Sequence, residues 1–325
     1  MENLEKDFLE ASKKINSLKE EISKKVVGQK NLIDSIIICL LSSGHILLEG
    51  LPGLAKTLTI STLSKSVDLG FSRIQFTPDL LPSDLIGTEI FNMKNSSFEI
   101  KKGPIFNNFI LADEINRAPS KVQSALLEAM AENSITIGNE TFLLQKPFLV
   151  LATQNPIEQS GTYKLPEAQL DRFSMKVKVD YPSLSEEKEM YKDIISCEKR
   201  ELNKILSKQE IFHLQDLVKK VYVSDSIFDY VSRIIDATRN PENYGLSEIK
   251  KYINFGSSPR GGLSILNSAK ALALIEARTF VIPEDIKKLV YQCISHRIVL
   301  SYEAIADDID EKYLIEKIIS KIKIS

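Results

Sequence analysis

The chain has 325 residues, of which 43% are hydrophobic and 26% charged, and its formal net charge is −2. This length suits about two globular domains, and the charge balance disfavours a generally basic nucleic-acid binder. Three cysteines lie far apart without metal-ligand spacing, which argues against a disulfide framework and a protein-only metal site. Without a secretory signal or a membrane-length apolar run, we expect a cytoplasmic protein with no membrane insertion.

The first half of the chain begins with two helices and then alternates strands with helices. Residues 1–43 carry apolar side chains at helical spacing, interrupted by VVGQ. Unbroken apolar runs are typical of strands covered on both faces. We therefore predict an α/β fold for residues 1–182, with a parallel five-stranded sheet between helices. The five strand patterns are HILLEG, SRIQFTP, NNFILADE, PFLVLATQNP and MKVKVDYP.

Beyond residue 182 the strand patterns stop. Five amphipathic segments follow, from SLSEEKEMYKDIIS to PEDIKKLVYQCISHRI, and all carry capping signals. The pattern predicts a smaller, all-helical second domain over residues 183–325.

The sequence EGLPGLAKT, residues 49–57, lies between a predicted strand and a predicted helix, which is the context of a phosphate-binding loop. Ala55 stands where the strict pattern requires glycine. Backbone N–H groups would surround the β-phosphate, Lys56 would reach the β and γ oxygens, and the Thr57 hydroxyl would bind Mg²⁺. A glycine-rich turn with a chance lysine is the alternative.

Two adjacent acids, Asp113 and Glu114, end another predicted strand. Buried acids are costly without cationic partners. If this strand lies beside the loop strand, Asp113 can hold the water shell of Mg²⁺ and Glu114 can polarise an attacking water. Helix capping is the alternative. Asn155 ends a strand expected between these two, where it could orient the same water, although Asn-Pro is also an ordinary turn signal.

Two arginines are candidates for contacts with a γ-phosphate. Arg172 in EAQLDRF precedes the last strand, and Arg260 in GSSPRGG opens a helix of the second domain. A single arginine in such a place is usually part of a surface ion pair. In a ring, an arginine presented to a neighbour's γ-phosphate stabilises the transition state.

Taken together, these stretches resemble the MoxR family of AAA+ ATPases. The most specific are GLPGLAKT, QFTPDLLPSDLIGTEIF, ADEINRAPSKVQSALLEAMAE, ATQNPIEQSGTYKLPEAQLDRF and SPRGGL, and the resemblance covers nearly the whole chain. It implies a P-loop AAA+ domain with a helical lid, Mg²⁺-dependent ATP hydrolysis and hexameric rings. It also implies chaperone-like remodelling or maturation of client proteins, often with a separate protein that carries a von Willebrand factor A domain.

The resemblance also gives each candidate site residue an expected role. Val27, Gly28 and Gln29 would line the adenine side. Glu114, Asn155, Arg172 and Arg260 would be the Walker B base, sensor 1, arginine finger and sensor 2. Thr57 and Asp113 would hold the metal. The family accepts alanine at Ala55, and the expected nucleotide-binding loop consists of Gly50, Leu51, Pro52, Gly53, Leu54, Ala55, Lys56, Thr57 and Leu58.

Two insertions also match the family. Residues 83–104 resemble its helix-2 insert, and residues 134–146 resemble the hairpin before sensor 1, with IGNE as the turn. In rings of the family these loops line the pore and contact substrate. Ordinary solvent-exposed hairpins are the alternative.

Two other functions remain open for the same fold. A nucleic-acid motor could place Lys101 and Lys102 against phosphates, although the near-neutral charge and the lack of a basic stripe disfavour it. A nucleotide-dependent switch without hydrolysis would need neither Glu114 nor Arg172. The sequence therefore predicts an ATP-hydrolysing remodelling ATPase that acts on proteins, with nucleic acid as a disfavoured partner.

Overall fold

The computed structural model describes residues 2–50, 56–94, 96–155, 162–196 and 201–324. Up to residue 178 they form alternating helices and strands. The helices are α1 (Glu2–Ser23), α2 (Lys30–Leu41), α3 (Lys56–Ser66), α4 (Pro82–Ile86), α5 (Ser120–Glu132) and α6 (Glu167–Leu170). The strands are β1 (Ile46–Glu49), β2 (Phe71–Gln75), β3 (Gly87–Asn92), β4 (Ser97–Lys102), β5 (Phe109–Asp113), β6 (Ser134–Ile137), β7 (Glu140–Leu143), β8 (Leu149–Gln154) and β9 (Met175–Lys178).

Five of these strands form the predicted parallel sheet, in the spatial order β2-β5-β8-β1-β9. The order places β8, which Asn155 follows, between the loop strand β1 and the acid strand β5. This is the position expected for the Asn155 strand, and the acid strand is therefore one strand removed from the loop strand. The carboxyl ends of all five strands still meet at one edge, because the strands are parallel.

The sheet separates two hydrophobic clusters, one on each face. Alternate residues of β8 enter different clusters, with Val150 and Ala152 on one side and Leu149 and Leu151 on the other. This follows from the two-residue period of a strand. Burial on both faces explains why the strands read as continuous apolar runs in the sequence.

The part of the chain after β9 is mainly helical, as predicted, but it also contains a small antiparallel sheet of β10 and β11. Strands of two or three residues are too short to show a recognisable alternation of apolar and polar residues. The prediction of a purely helical domain therefore missed them. The elements are α7 (Leu184–Ser196), α8 (Lys208–Lys220), α9 (Asp225–Ala237), α10 (Ser247–Lys250), β10 (Ile253–Phe255), α11 (Pro259–Ile275), α12 (Pro283–Ile294), β11 (Val299–Leu300), α13 (Tyr302–Ala306) and α14 (Glu311–Lys321).

The N-terminal helices join the sheet to these C-terminal helices. Ser12 Oγ of α1 donates to the carbonyl of Ile275 in α11 at 2.6 Å, and Lys14 Nζ lies 2.8 Å from Glu210 Oε1 in α8. One cluster of buried apolar residues runs from α1 and α2 through one sheet face to α8, α9, α11 and α12. The hydrophobic core is thus continuous across the predicted domain boundary near residue 182.

The two predicted insertions are hairpins, β3–β4 and β6–β7, that contact each other. A side chain at Gly138, in the second turn, would collide with Glu89 of β3, since its Cβ would lie 2.2 Å from Glu89 Oε1. Lys102 Nζ lies 5.0 Å from the ring centre of Phe106 and 4.7 Å from that of Phe142. These cation–π contacts tie β4 to β7.

None of the described helices combines the length and the apolar content that a membrane-spanning segment requires.

Candidate active site

Lys56 marks the position of the predicted phosphate loop. It is the first residue of α3, and its Nζ donates to the carbonyl of Gly50, after β1, at 2.6 Å. A side chain at Gly50 would place its Cβ 2.6 Å from the carbonyl oxygen of Val179, so this position requires glycine. Thr57 and Leu58 continue α3, while Leu51, Pro52, Gly53, Leu54 and Ala55 lie outside the described residues.

The ammonium group of Lys56 lies in a partly desolvated, acidic environment. Burial lowers its pKa below the usual value, and the charges of Asp113 and Glu114 act in the opposite direction. The lysine from the start of α3 and the acids from the end of β5 therefore interact electrostatically, although β8 separates their strands.

Asp113 has both carboxylate oxygens occupied by hydrogen-bond donors. Thr153 Oγ donates to Oδ1 at 2.6 Å, and Arg73 donates to Oδ2 from Nη2 at 2.6 Å and from Nε at 3.2 Å. Thr153 is buried on the neighbouring strand β8, and Arg73 belongs to the edge strand β2. Asp113 is thus held between two strands, with a cation as one of its partners.

Glu114 follows directly, with a left-handed backbone at φ 57° that is unfavourable for a side chain of its size. Its N–H donates to Thr153 Oγ at 2.8 Å, so one hydroxyl fixes both acids. Its carboxylate Oε2 accepts from Gln75 Nε2 at 2.9 Å and from Arg117 Nη1 at 3.0 Å. Glu114 is thus held at the carboxyl ends of the strands by residues of β2, β8 and the turn that follows β5.

Asn155 lies at the same edge, since it directly follows Gln154, the last residue of β8. It is buried, and Gln154 pairs in register with Glu49, one residue before Gly50. The structure therefore brings Lys56, Asp113, Glu114 and Asn155 together at the carboxyl ends of β1, β5 and β8. This is where ligands bind in open parallel sheets.

The donor set at this edge fits a divalent cation bound together with phosphates. The Asp113 carboxylate and the Thr57 hydroxyl are hard oxygen ligands, and proteins commonly hold Mg²⁺ through one or two such groups plus phosphate oxygens and water. The guanidinium of Arg73 on Asp113 Oδ2 indicates that this carboxylate already attracts positive charge.

Val27, Gly28 and Gln29 connect α1 to α2. Gly28 and Gln29 both have left-handed backbones, at φ 68° and 53°, and Gln29 Nε2 donates to the carbonyl of Asp180 after β9 at 3.0 Å. Val27 and Gly28 line a cavity of about 880 Å³ between α1, α2, α11 and α12. This segment lies at the junction of the sheet domain with the helical part, which is a common position for ligand sites.

Arg172 and Arg260 lie together, away from these acids. Both line a cavity of about 290 Å³, which Gly44 and Ser174 also line. Arg172 Nη1 donates to the carbonyl of Leu127 at 2.9 Å, and Arg260 Nη1 lies 3.7 Å from Asp171 Oδ2. Sequence reasoning placed the two arginines in different domains and gave no indication that they share a cavity.

This arginine cavity is at the opposite edge of the sheet from Lys56. Gly44 precedes β1 and Ser174 precedes β9, whereas Gly50 follows β1, and the two strands are parallel and in register. At about 3.3 Å per residue, the four-residue strands alone separate the edges by roughly 10 Å. The cavity of Arg172 and Arg260 therefore lies at the strand ends opposite those of Gly50 and Lys56.

Several residues that organise the site were missed from the sequence. The signal for Arg73 and Gln75 was polar alternation in SRIQF, which identifies a partly exposed strand. Arg117 follows Glu114 by three residues, and Thr153 precedes Asn155 by two, but neither spacing alone indicates a partner.

Comparisons with known proteins agree with this geometry. A family model for the ATPase family associated with various cellular activities (AAA) matches residues 45–175, and one for the AAA lid domain matches residues 246–318. The first match contains the loop, both acids, Asn155 and Arg172, and the second contains Arg260.

Individual relatives cover nearly the whole chain. It is 46% identical to Chaperone MoxR1 of Mycobacterium tuberculosis over 93% of this chain and 80% of that protein. It is 42% identical to the uncharacterised protein YeaC of Bacillus subtilis over 94% and 93% of the two chains. The crystal structure of a presumed ATPase from Cytophaga hutchinsonii is 49% identical, with a TM-score of 0.95 and coverage of 100% and 98%.

Proposed function

Because the chain belongs to the MoxR family of AAA+ ATPases, we propose that it hydrolyses ATP with Mg²⁺ in an oligomeric ring and remodels partner proteins. The observation that carries the proposal is the position of Asp113 and Glu114 at the end of β5, at the same ends of the parallel strands as Gly50, whose carbonyl accepts from Lys56 Nζ. A structural turn would need neither this lysine nor two partnered acids.

Each residue at this edge has a chemical task in the proposal. Lys56 neutralises charge on the β and γ phosphates, and Glu114 accepts a proton from the attacking water, which Asn155 orients. A bound Mg²⁺ ion, held by Thr57 and Asp113, would supply further neutralisation of phosphate charge. Val27, Gly28 and Gln29 contact the adenine side, at the junction with the helical part.

Arg172 and Arg260 act together on the nucleotide of a neighbouring subunit. Their shared cavity lies at the strand ends opposite those of Gly50 and Lys56, so a contact with a γ-phosphate requires a second copy. Two exposed apolar side chains lie beside this cavity. Leu263 lines the arginine cavity itself, and Phe255 lines a second cavity that also contains Asp171. Apolar surface beside charged fingers is suited to a subunit interface.

The assembly in this proposal is a hexameric, cytoplasmic ring whose sheet domain ends near residue 182. Its client is a protein, and a separate von Willebrand factor A domain protein is the expected partner, in line with the chaperone name of the Mycobacterium tuberculosis relative. The joined hairpins β3–β4 and β6–β7 carry exposed Phe91 and Phe98 for client contact. Lys102 is already engaged with two aromatic rings, which weakens the alternative of a nucleic-acid motor.

The decisive experiment measures ATP hydrolysis per subunit as a function of protein concentration. We expect the specific activity to rise as subunits assemble, because Arg172 has no γ-phosphate to contact in a monomer. Arg172→Ala should lose about 10³-fold or more in turnover while keeping ATP affinity. Mixing it with Lys56→Ala, which is inactive for a different reason, should restore activity, because an intact Arg172 can then face a neighbour's intact loop.

As controls, Arg172→Ala alone and Lys56→Ala alone are taken through the same mixing procedure at the same total protein concentration. Both should stay inactive. Concentration-independent turnover, or no rescue when mixed oligomers are demonstrated by labelled subunits, would show that Arg172 does not act across an interface. Absence of any ATP hydrolysis by assembled wild-type protein would instead favour a nucleotide-dependent switch.

A further inference from the structure

Arg73 is a half-exposed cation placed directly on the predicted metal-side carboxylate. It lies on β2, the edge strand of the sheet, opposite Leu111 in the register with β5. From there its side chain crosses diagonally to Asp113, two residues further along β5, as long side chains can in a sheet. The side chain of Arg73 is 50% exposed, and that of Asp113 is 18% exposed.

The guanidinium binds the Asp113 oxygen that Thr153 leaves free. Oδ1 accepts from the buried hydroxyl of Thr153, so that side of the carboxylate is closed. Oδ2 accepts both contacts from Arg73. A cation that binds Oδ2 therefore competes with Arg73 for that oxygen.

Arg73 also links the two acids through β2. Its Nη2 donates to Gln75 Oε1 at 3.1 Å, and Gln75 Nε2 donates to Glu114 Oε2 at 2.9 Å. Asp113, Arg73, Gln75 and Glu114 thus form one continuous chain of hydrogen bonds. With Arg117 on Glu114, each of the two acids has an arginine as a partner.

We propose that Arg73 occupies Asp113 in competition with the metal ion and must leave Oδ2 before Mg²⁺–nucleotide binds. The inference rests on the proposed function, because it concerns the metal side of the same site. Two cations on one carboxylate oxygen repel each other, so Arg73 lowers the affinity for the metal–nucleotide complex. Its departure is inexpensive, because an exposed guanidinium regains water and the ion pair is worth little.

A permanent structural ion pair has the opposite consequence. If Arg73 stayed on Asp113 and held it in a productive orientation, its removal would weaken metal-dependent binding. The two roles therefore predict opposite effects of removing Arg73 on one quantity, the factor by which Mg²⁺ strengthens ADP binding.

The test is calorimetric titration of ADP into the full-length protein, once in EDTA and once in excess MgCl₂. The quantity of interest is the ratio of the dissociation constant in EDTA to that in MgCl₂. For Arg73→Gln we expect this ratio to rise about fivefold, the size typical of losing one half-exposed ion pair. The affinity for ADP in MgCl₂ should itself increase. The assay involves no ATP turnover, so it does not depend on catalytic activity.

Three variants make the result specific. Arg73→Met keeps the aliphatic stem against β5 and should behave like Arg73→Gln, which guards against loss of strand packing. Arg73→Lys keeps the charge and should stay within about twofold of the wild-type ratio. Arg117→Gln removes the arginine on Glu114, and it should leave the ratio unchanged because that acid is not on the metal side.

An unchanged or smaller ratio in Arg73→Gln and Arg73→Met would overturn the inference, and so would an equal rise in Arg117→Gln. Thermal unfolding in EDTA establishes that each variant is folded. If wild-type protein binds no ADP in either buffer, the proposed function fails instead, so the two failures are distinguishable.

Discussion

Arg297 and Asp171 form a buried ion pair, with 2.8 Å between Nε and Oδ1 and an Arg297 side chain that is only 2% exposed. Nη2 of the same guanidinium also donates to the carbonyls of Asp171 and Phe173, at 3.0 and 2.8 Å. Arg172, the predicted finger, lies between these two carbonyl groups in the chain. Arg297 of the lid therefore fixes the backbone that presents Arg172, which couples the position of the lid to that of the finger.

We expect Arg297→Met to lower the free energy of unfolding by about 3 kcal/mol, because it removes the buried guanidinium from a largely buried Asp171 and leaves that acid, within the described chain, only the exposed Arg260 at 3.7 Å as a cation. Denaturant unfolding measures the change. The control is Lys219→Met, which breaks an ion pair with Asp216 of 2.7 Å whose lysine is 76% exposed, and it should change stability by less than ~1 kcal/mol. Equal effects of the two variants would contradict the role of burial.

Lys56→Ala should abolish nucleotide binding without unfolding the protein. Lys56 contributes charge near the phosphates rather than apolar packing, and its Nζ donates to the Gly50 carbonyl. ADP titration and a thermal melt of the same sample test both parts. Lys65→Ala, at the other end of α3, is a matched control that should bind ADP normally. ADP binding by Lys56→Ala at wild-type affinity would remove Lys56 from the site.

Glu114→Gln should bind Mg²⁺–ATP but turn it over about 10²- to 10⁴-fold more slowly, because a glutamine cannot accept the proton. Its amide oxygen can still accept from Gln75 and Arg117, so the local structure should persist. Single-turnover hydrolysis separates this step from product release. Glu242→Gln, an exposed glutamate of the lid, serves as the control, and near-normal turnover in Glu114→Gln would exclude it as the base.

His45 should make the fold sensitive to mild acid. Burial lowers its pKa from 6.5 to about 4, and its Nδ1 accepts from the N–H of Val150 at 3.1 Å. Above pH 6.5 the group is neutral whether folded or unfolded. As the pH falls from 6.5 towards 4, only the unfolded chain binds the proton, so the free energy of unfolding falls by up to about 3 kcal/mol.

Denaturant unfolding at several pH values measures this dependence. His45→Asn should flatten the slope between pH 6.5 and 4, whereas His213→Asn, which changes an exposed histidine on α8, should not. His296 is also buried and its pKa is lowered, so some slope should persist in His45→Asn. A slope equal to that of the wild type would contradict the contribution of His45.

The sequence by itself determined the elements of the sheet, the lysine after the loop and the two acids at a strand end. These features are local, because apolar periodicity, capping and the order of strand, loop and helix are properties of consecutive residues. Ala55 departs from the strict pattern of the phosphate loop, so this motif alone does not identify the family. The family follows from similarity to relatives over nearly the whole chain. Short strands such as β10 and β11 fell below what a local pattern can indicate.

The partners of the site residues were decided only by the tertiary structure. Arg73 and Asp113 are 40 positions apart, and Arg297 and Asp171 are 126 apart, so no spacing in the sequence connects them. Which side chains meet depends on strand order and on how the lid packs, and both are set by total apolar burial over the fold. For the same reason the sequence identified Arg172 and Arg260 separately, whereas their shared cavity at the sheet edge opposite the loop followed only from the docking of the lid.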